Sequence, residues 1–280
     1  MGSRSDTDDG EGQSVLDIAE DWYHVPAVLL ILGAMAAIRL QPYGEFIRDG
    51  EVYFSGNDAW YHYREVTYTV RNWPTTMPFD PWTNYPYGTF VGQFGTLYDQ
   101  IVATAALVVG LGSPSPDLIA KTLLVAPALG GALAVIPVYL IGKRLSGRIA
   151  GLFGAVVLLL LPGSFLSRTL VGAADHNAAE PLAMALAIAS FVIAFQKPKA
   201  TLPVWEVVRE ELVESRELET IQEPLKWRLL AGFLTGIYLW VWPPAVFLVG
   251  IVGLFAIVKI ASDVVNEQTP EPAASVGAPK

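Results

Sequence analysis

Two short polar patches interrupt an otherwise apolar chain: Ser55-Gly56-Asn57-Asp58-Ala59-Trp60 and Arg168-Thr169-Leu170-Val171-Gly172-Ala173-Ala174-Asp175-His176-Asn177. Each sets a carboxylate beside a long apolar stretch, where an ionised group is costly and is usually kept for a task. Asp58 precedes Ala59-Trp60-Tyr61-His62-Tyr63-Arg64-Glu65, which reads as the start of a helix. It has two uses there: an N-cap that accepts hydrogen bonds from free backbone amides, or a ligand for a divalent cation at the outer membrane boundary. Asp175 sits just ahead of a helix expected to begin near Ala178, so the same two uses are open to it. Together the two acids point to the cation, because a hard cation needs several oxygen ligands and two loops on one face supply them without burying an unpaired charge.

In an extended segment Asp175 and Asn177 point the same way, while His176, a capable ligand, faces away from Asp175. Arg168 ends an apolar run and serves either as a snorkelling anchor or as a two-pronged clamp for phosphate oxygens. Glu180 reads as a complement to a helix N-terminus rather than a further acid of the site.

The elements that must hold these patches are apolar runs of helical length. Val25 to Leu40 is a first spanning candidate, followed by a long polar loop from about Gln41 to Gly95. Further runs cover Ile101 to Leu111, Leu118 to Ile141, Ile149 to Leu166, Ala178 to Phe195 and Leu229 to Ile260. The last is too long for one crossing, and Trp242-Pro243-Pro244 is its natural break, since proline removes a backbone donor and disfavours helix for the residue before it. The fold class expected is therefore an all-α polytopic membrane protein with about six transmembrane helices and a large first outer loop. Its parts are an acidic disordered tail (1–21), a transmembrane part (22–260) with an outer loop at about 41–117 and a cytoplasmic loop at about 196–228, and a polar tail (261–280). No internal repeat is visible.

Composition supports the class. In 280 residues, 52% are hydrophobic and 16% charged, too apolar for an ordinary soluble domain. The net charge of -9 gathers in the first 21 residues and in the Glu-rich segment from Lys197 to Arg228. Such acidity fits either a high-salt cytoplasm or a solvated tail, and it argues against nucleic acid as a partner, because phosphates need a basic face. No cysteine is present, which excludes disulfides, thiolate metal sites and cysteine nucleophiles.

Cytoplasmic loops gather Lys and Arg, and Lys143-Arg144-Leu145-Ser146-Gly147-Arg148 is a compact basic loop without acids. Basic residues also flank the ends of the 196–228 loop, two crossings later. Both then lie inside, which places Arg168 to Asn177 outside. For Asp58 to share that face, Ile101 to Leu111 must not span; at about half of the roughly 20 residues a crossing needs, it reads as an interfacial or re-entrant helix. Arg39 and Arg48, at the outer end of the first helix, oppose this orientation. The outer loop is crowded with aromatics, and its Met77-Pro78-Phe79-Asp80-Pro81-Trp82 and Tyr85-Pro86-Tyr87-Gly88 segments are turn-rich and rigid.

At these residues the chain resembles the catalytic subunit of archaeal oligosaccharyltransferase, the dolichyl-phosphooligosaccharide protein glycotransferase of the GT-C membrane class. The blocks that carry the likeness are Gly56 to Arg64, Pro78 to Trp82 through Tyr85 to Gly88, Gly92 to Leu97, and Ser167-Arg168-Thr169 through Asp175-His176-Asn177, within a similarity running from about Trp22 to Ile260. The resemblance implies a GT-C type helical bundle. It implies transfer of an oligosaccharide from a lipid-linked phosphate or pyrophosphate donor to the asparagine of an N-x-S/T segment in an acceptor polypeptide, in a multi-pass cell membrane protein with its site loops on the outer face. It makes Asp58 and Asp175 catalytic, Arg168 the contact for donor phosphate, and Asp58, Asp175 and Asn177 the ligands of a divalent cation, Mn2+ or Mg2+. Asn177 departs from the acidic or histidine residue usual at its position and brings no charge. The family's second long outer loop and globular C-terminal domain are not in this sequence, so an N-terminal part of the subunit is expected. Rival classes are a transporter or ion-coupled permease, whose acids sit at mid-membrane on broken helices, and an inactive scaffold.

Overall fold

The computed structural model describes residues 22–196 and 222–265. The acidic tail, most of the 196–228 loop and most of the 261–280 tail lie outside the described residues. The chain is built of helices with two small antiparallel hairpins. Helix α1 is His24–Leu40, continued by a 3-10 turn over Gln41–Phe46. The segment that follows holds β1 (Ile47–Arg48) paired with β2 (Glu51–Val52), helix α2 (Asp58–Asn72), β3 (Phe79–Asp80) paired with β4 (Thr89–Phe90), and helix α3 (Leu97–Val109). The bundle resumes with α4 (Pro116–Leu133), α5 (Val135–Leu160), the short α6 (Ser164–Arg168), α7 (Glu180–Gln196), α8 (Gln222–Val241) and α9 (Val246–Val265).

Three segments among the described residues are long and apolar enough to cross a bilayer: His24–Phe46, Pro116–Leu160 and His176–Gln196. The second contains a reversal. Ser146 and Gly147 leave helical geometry inside α5, with Gly147 at φ +86°, and the arms fold back so closely that Gly142 meets the backbone of Ala150 and Gly151. The acid-free basic loop of the sequence is this turn. α5 ends at Leu160 rather than continuing to Leu166, because Pro162 cannot extend the hydrogen-bonded ladder and Gly163 adopts φ +79°. Leu97–Val109 is an apolar helix shorter than a crossing, and Trp242 turns extended where α8 gives way to α9.

The 47–109 segment is fastened to the bundle. α2 is amphipathic, burying Ala59, His62, Val66 and Thr69 at helical spacing against α3, where Tyr98, Val102, Ala103 and Ala106 form the facing core. At the other end of α3, Thr96 N donates to Trp240 O (3.2 Å) and Trp240 Nε1 donates to Thr96 Oγ1 (3.0 Å), clamping the loop to α8. Arg39, fully buried at the end of α1, donates from Nε to Thr169 Oγ1 (2.9 Å), and its guanidinium lies over the Phe165 ring. Gly131 of α4 lacks the side chain that would collide with both Arg39 and Thr169. Arg39 thus sits at the same end of the bundle as Arg168, as a buried strut.

Candidate active site

The loop from Thr169 to Ala174 is held by backbone bonds from three directions. Val171 N donates to Arg39 O (3.0 Å), Gly172 N to Leu124 O (3.0 Å), and Ser55 N to Gly172 O (2.9 Å). The last bond joins the two polar patches directly. Gly172 has φ +88°, a conformation that L side chains rarely adopt, and the Phe46 ring occupies the place of its absent Cβ.

This brings the residues singled out in the sequence to one place. Asp58, Arg168, Asp175 and Asn177 all line a cavity of about 250 Å3. Asp58, Asp175 and Asn177 also line a larger one of about 650 Å3, whose remaining wall includes Trp60, Tyr61, His62, Arg64, Trp82 and Phe94. Asp58 is the first residue of α2; Asn57 takes the cap position and neither caps with its side chain. The exposed Asp58 carboxylate makes no hydrogen bond or ion pair among the described residues. Asp175 does cap, accepting from Asn177 N (3.3 Å) at the start of the 3-10 turn His176–Ala178.

That turn changes which side chains meet. Because residues 176–178 coil instead of extending, His176 swings toward Asp175, its Nδ1 lying 2.7 Å from Asp175 Oδ1. The expectation that His176 faces away is corrected by this geometry. Asn177 donates from its amide nitrogen to Asp175 Oδ2 and accepts from Arg168 at its amide oxygen (2.7 Å from Nη1). It therefore links Arg168 to Asp175, and its oxygen is turned from the carboxylate.

Two residues of the site were not picked out in the sequence. His62 is buried on α2 and Asp99 is buried on α3; His62 Nδ1 lies 2.8 Å from Asp99 Oδ1 and its Nε2 lies 3.2 Å from Asp175 Oδ1. A signal for His62 existed: it follows Asp58 by four residues, one helical turn along the same face. Asp99 had a weaker one, an acid bordering an apolar run. Burial alone lowers the His62 pKa, but Asp99 and Asp175 on either side outweigh it and hold the imidazole at about 10. Asp175 is correspondingly held well below the ordinary carboxylate range, burial being outweighed by hydrogen bonds from His176 and His62.

Arg64 and Asp80 support the larger cavity. Asp80, fully buried, accepts from Arg64 Nη2 (2.6 Å) and Nε (3.2 Å), from Thr83 Oγ1 (2.6 Å) and from the backbone of Trp82 and Thr83, which fixes the turn carrying Trp82, Thr83 and Asn84 into the cavity wall. The Asp80 carboxyl sits below its usual range: burial raises it, and the Arg64 and Thr83 bonds overcome that. Below His62 on α2, Glu65 is fully buried with both carboxylate oxygens unpartnered; burial, then Asp99 and Asp80, push its pKa up to about 8.

Residues 28–269 match the family model of the oligosaccharyl transferase STT3 N-terminal region. The chain belongs to this family. It is 61% identical over 95% of its length to the dolichyl-monophosphooligosaccharide-protein glycotransferase AglB of Haloferax volcanii, covering 25% of that protein. Among solved structures it is similar to the apo oligosaccharyltransferase of Archaeoglobus fulgidus, at 26% identity and a TM-score of 0.73 over 86% of this chain and 26% of that one. A second structure of that oligosaccharyltransferase, a complex with Zn and sulfate, matches at 25% identity and a TM-score of 0.70, over 84% of this chain and 27% of that one. The chain spans about a quarter of the length of these relatives.

Among the described residues, His62, Asp175 and His176 form a group whose ligating atoms lie within 4.8 Å of one another. Two imidazole nitrogens and a carboxylate oxygen at that spacing are a donor set that fits a divalent cation.

Proposed function

We propose that this chain supplies the catalytic outer-face site of an oligosaccharyltransferase, which moves an oligosaccharide from a lipid-linked phosphate or pyrophosphate donor to the side-chain nitrogen of asparagine in an N-x-S/T segment. The observation that carries the reading is the convergence of Asp58, Arg168, Asp175 and Asn177 on one small cavity, from two loops more than a hundred residues apart. The printed name of the Haloferax volcanii relative, a dolichyl-monophosphooligosaccharide-protein glycotransferase, supports the donor and acceptor classes.

The chemistry follows from the residues. An amide nitrogen is a weak nucleophile because its lone pair is delocalised into the carbonyl. Asp58, unpartnered at the cavity wall, is placed to accept hydrogen bonds from the acceptor's N–H groups and localise that lone pair. Arg168, at the rim of the smaller cavity, offers a second guanidinium nitrogen to donor phosphate oxygens while Nη1 stays with Asn177. A divalent cation bound by Asp58 and Asp175 would act as a Lewis acid, offsetting charge on the departing phosphate. Asn177 joins these ligands if its amide turns over and brings its oxygen toward Asp175. No covalent enzyme intermediate is needed.

The same reading makes the bundle a GT-C type fold of about six crossings in the cell membrane, with 22–260 as its N-terminal part and the 143–148 turn on the cytoplasmic side. The decisive experiment supplies lipid-linked oligosaccharide and an N-x-T peptide to membranes carrying the protein in the context of a complete oligosaccharyltransferase. Asp58→Ala and Asp175→Ala are each expected to abolish glycopeptide formation, and Arg168→Ala to raise the donor concentration needed for half-maximal rate. Full transfer by both aspartate variants would refute the assignment.

A further inference from the structure

We infer that a further cavity, between the β1–β2 hairpin and the start of α4, is a subsite for a neutral sugar unit of the transferred glycan. The inference rests on the proposed function for the identity of the donor, and deepens it by saying where the glycan beyond the reacting sugar is held.

The cavity measures about 530 Å3, within the roughly 300–1,000 Å3 of small-molecule sites, and is distinct from the two that hold Asp58. It adjoins them along one stretch of chain. Residues 50–54 line it, residues 55–59 line the small cavity that holds Arg168, and Trp60 stands in the wall of both this cavity and the larger one. A glycan whose phosphate end meets Arg168 has a direct course into it along Ser55 and Phe54.

The walls combine aromatic faces with unengaged oxygens. The Trp60 and Tyr63 rings stand at 88° to one another with centroids 6.3 Å apart, and Phe54 packs on both at 5.1 and 5.7 Å, so this corner is fixed before a ligand arrives. Trp60 and Tyr53 remain 39% and 44% exposed. A pyranose has an apolar face of C–H groups, which stacks on such rings, and a rim of hydroxyls, which needs donors and acceptors. The Glu51 carboxylate and the Tyr53 and Tyr63 hydroxyls make no hydrogen bond among the described residues. Asp117 uses only Oδ2, and Ser115 Oγ accepts from Leu118 N (3.2 Å), which leaves its proton to donate.

The charges select against other ligands. No Lys, Arg or His lines the cavity, so a phosphate has no partner in it, and its carboxylates repel an acidic sugar. The places a cation would take are already filled: Lys121 Nζ donates to Asp117 Oδ2 (2.8 Å), and Arg48, opposite Glu51 in the hairpin, lies over the Tyr53 ring at 5.5 Å. A neutral polyhydroxylated ligand suits what is left.

The test has a binding arm and a transfer arm. Saturation-transfer difference NMR on the whole chain, in a detergent without a sugar headgroup, uses methyl glucoside, methyl mannoside and methyl galactoside as probes, against methyl glucuronide, methyl phosphate and acetyl-lysine amide. At least one neutral glycoside is expected to receive saturation at its C–H face, and more than any of the three charged compounds. Glu51→Gln and Tyr53→Ala, both at exposed positions, should each weaken that signal about 3- to 10-fold at an unchanged unfolding temperature. In the context of a complete oligosaccharyltransferase, the same variants should raise donor KM about 3- to 10-fold more for a donor of several sugars than for a donor of one. No saturation of any neutral glycoside, or stronger saturation of a charged compound, would overturn the inference on the unaltered protein. Signals unaffected by both variants, or equal KM changes for the two donors, would overturn it as well. Transfer that survives Asp58→Ala and Asp175→Ala, with glycoside binding still dependent on Glu51 and Tyr53, would instead remove the proposed function and leave the sugar site standing.

Discussion

The imidazole of His62 is held 2.8 Å from the Asp99 carboxylate, with both side chains almost completely buried. Their helices, α2 and α3, have no other buried charge pair between them among the described residues, so this contact joins the core between them to the 169–178 loop through Asp175.

Its energetic signature is a dependence on pH. The fold raises the His62 pKa from 6.5 to about 10, so the contribution is fully present below about pH 6.5 and is lost as pH rises through about 10. Asp99→Asn removes one of the carboxylates responsible and is expected to lower stability by about 1–3 kcal/mol below pH 6.5. The gap from the unaltered protein should narrow toward pH 10. Thermal unfolding in detergent across that range, without added metal, measures it; a gap that stays constant would mean that His62 is not charged.

Glu65 gives a pH dependence of the same sign from a different cause, the cost of ionising a buried carboxyl. The fold raises its pKa from 4.5 to about 8, so the folded chain holds this proton more tightly than the unfolded one. Stability from this group is highest below about pH 4.5 and falls as pH rises toward 8. Glu65→Gln, which keeps shape and removes ionisation, is expected to be more stable than the unaltered protein above pH 8 and equal to it near pH 4. Melting curves at the two ends of the window decide this.

Arg39 has one side-chain acceptor, Thr169, and its Nη2 is unpartnered. Thr169→Val leaves a buried guanidinium short of that acceptor and is expected to cost about 1–3 kcal/mol. Adding Arg39→Met should restore most of the loss, since an apolar side chain of similar volume needs no acceptor. Additive losses in the double variant would show that the two side chains do not interact.

Gly172 should tolerate no side chain. Alanine there meets the Phe46 ring at φ +88° and is expected to cost at least about 1–2 kcal/mol, with Phe46→Ala relieving the collision but not the backbone strain. Unfolding temperatures of the single and double variants separate the two terms.

Much of this architecture was legible in the residues. The acid-free run Lys143 to Arg148 marked the reversal inside Pro116–Leu160, and Trp242-Pro243-Pro244 marked the break between α8 and α9, because basic loops and prolines act through local rules that a sequence displays. That Asp58 and Asp175 line the same cavities agrees with the expectation that their two loops lie near each other. What stayed hidden depends on contacts between distant segments. His62 reads as one of several ring-bearing residues of α2 until α3 brings Asp99 against it. The facing of His176 depended on a 3-10 turn where an extended strand was expected, and the spent oxygen of Asn177 depended on Arg168 reaching back across nine residues.

Asp58, Asp175, Asn57 and Asn177 belong to the walls of both cavities, so the two spaces share a common wall. Two reactants housed in separate chambers do not obstruct each other's entry. On the proposed reading, donor and acceptor seated in the two spaces would meet across that wall with no compulsory order of entry.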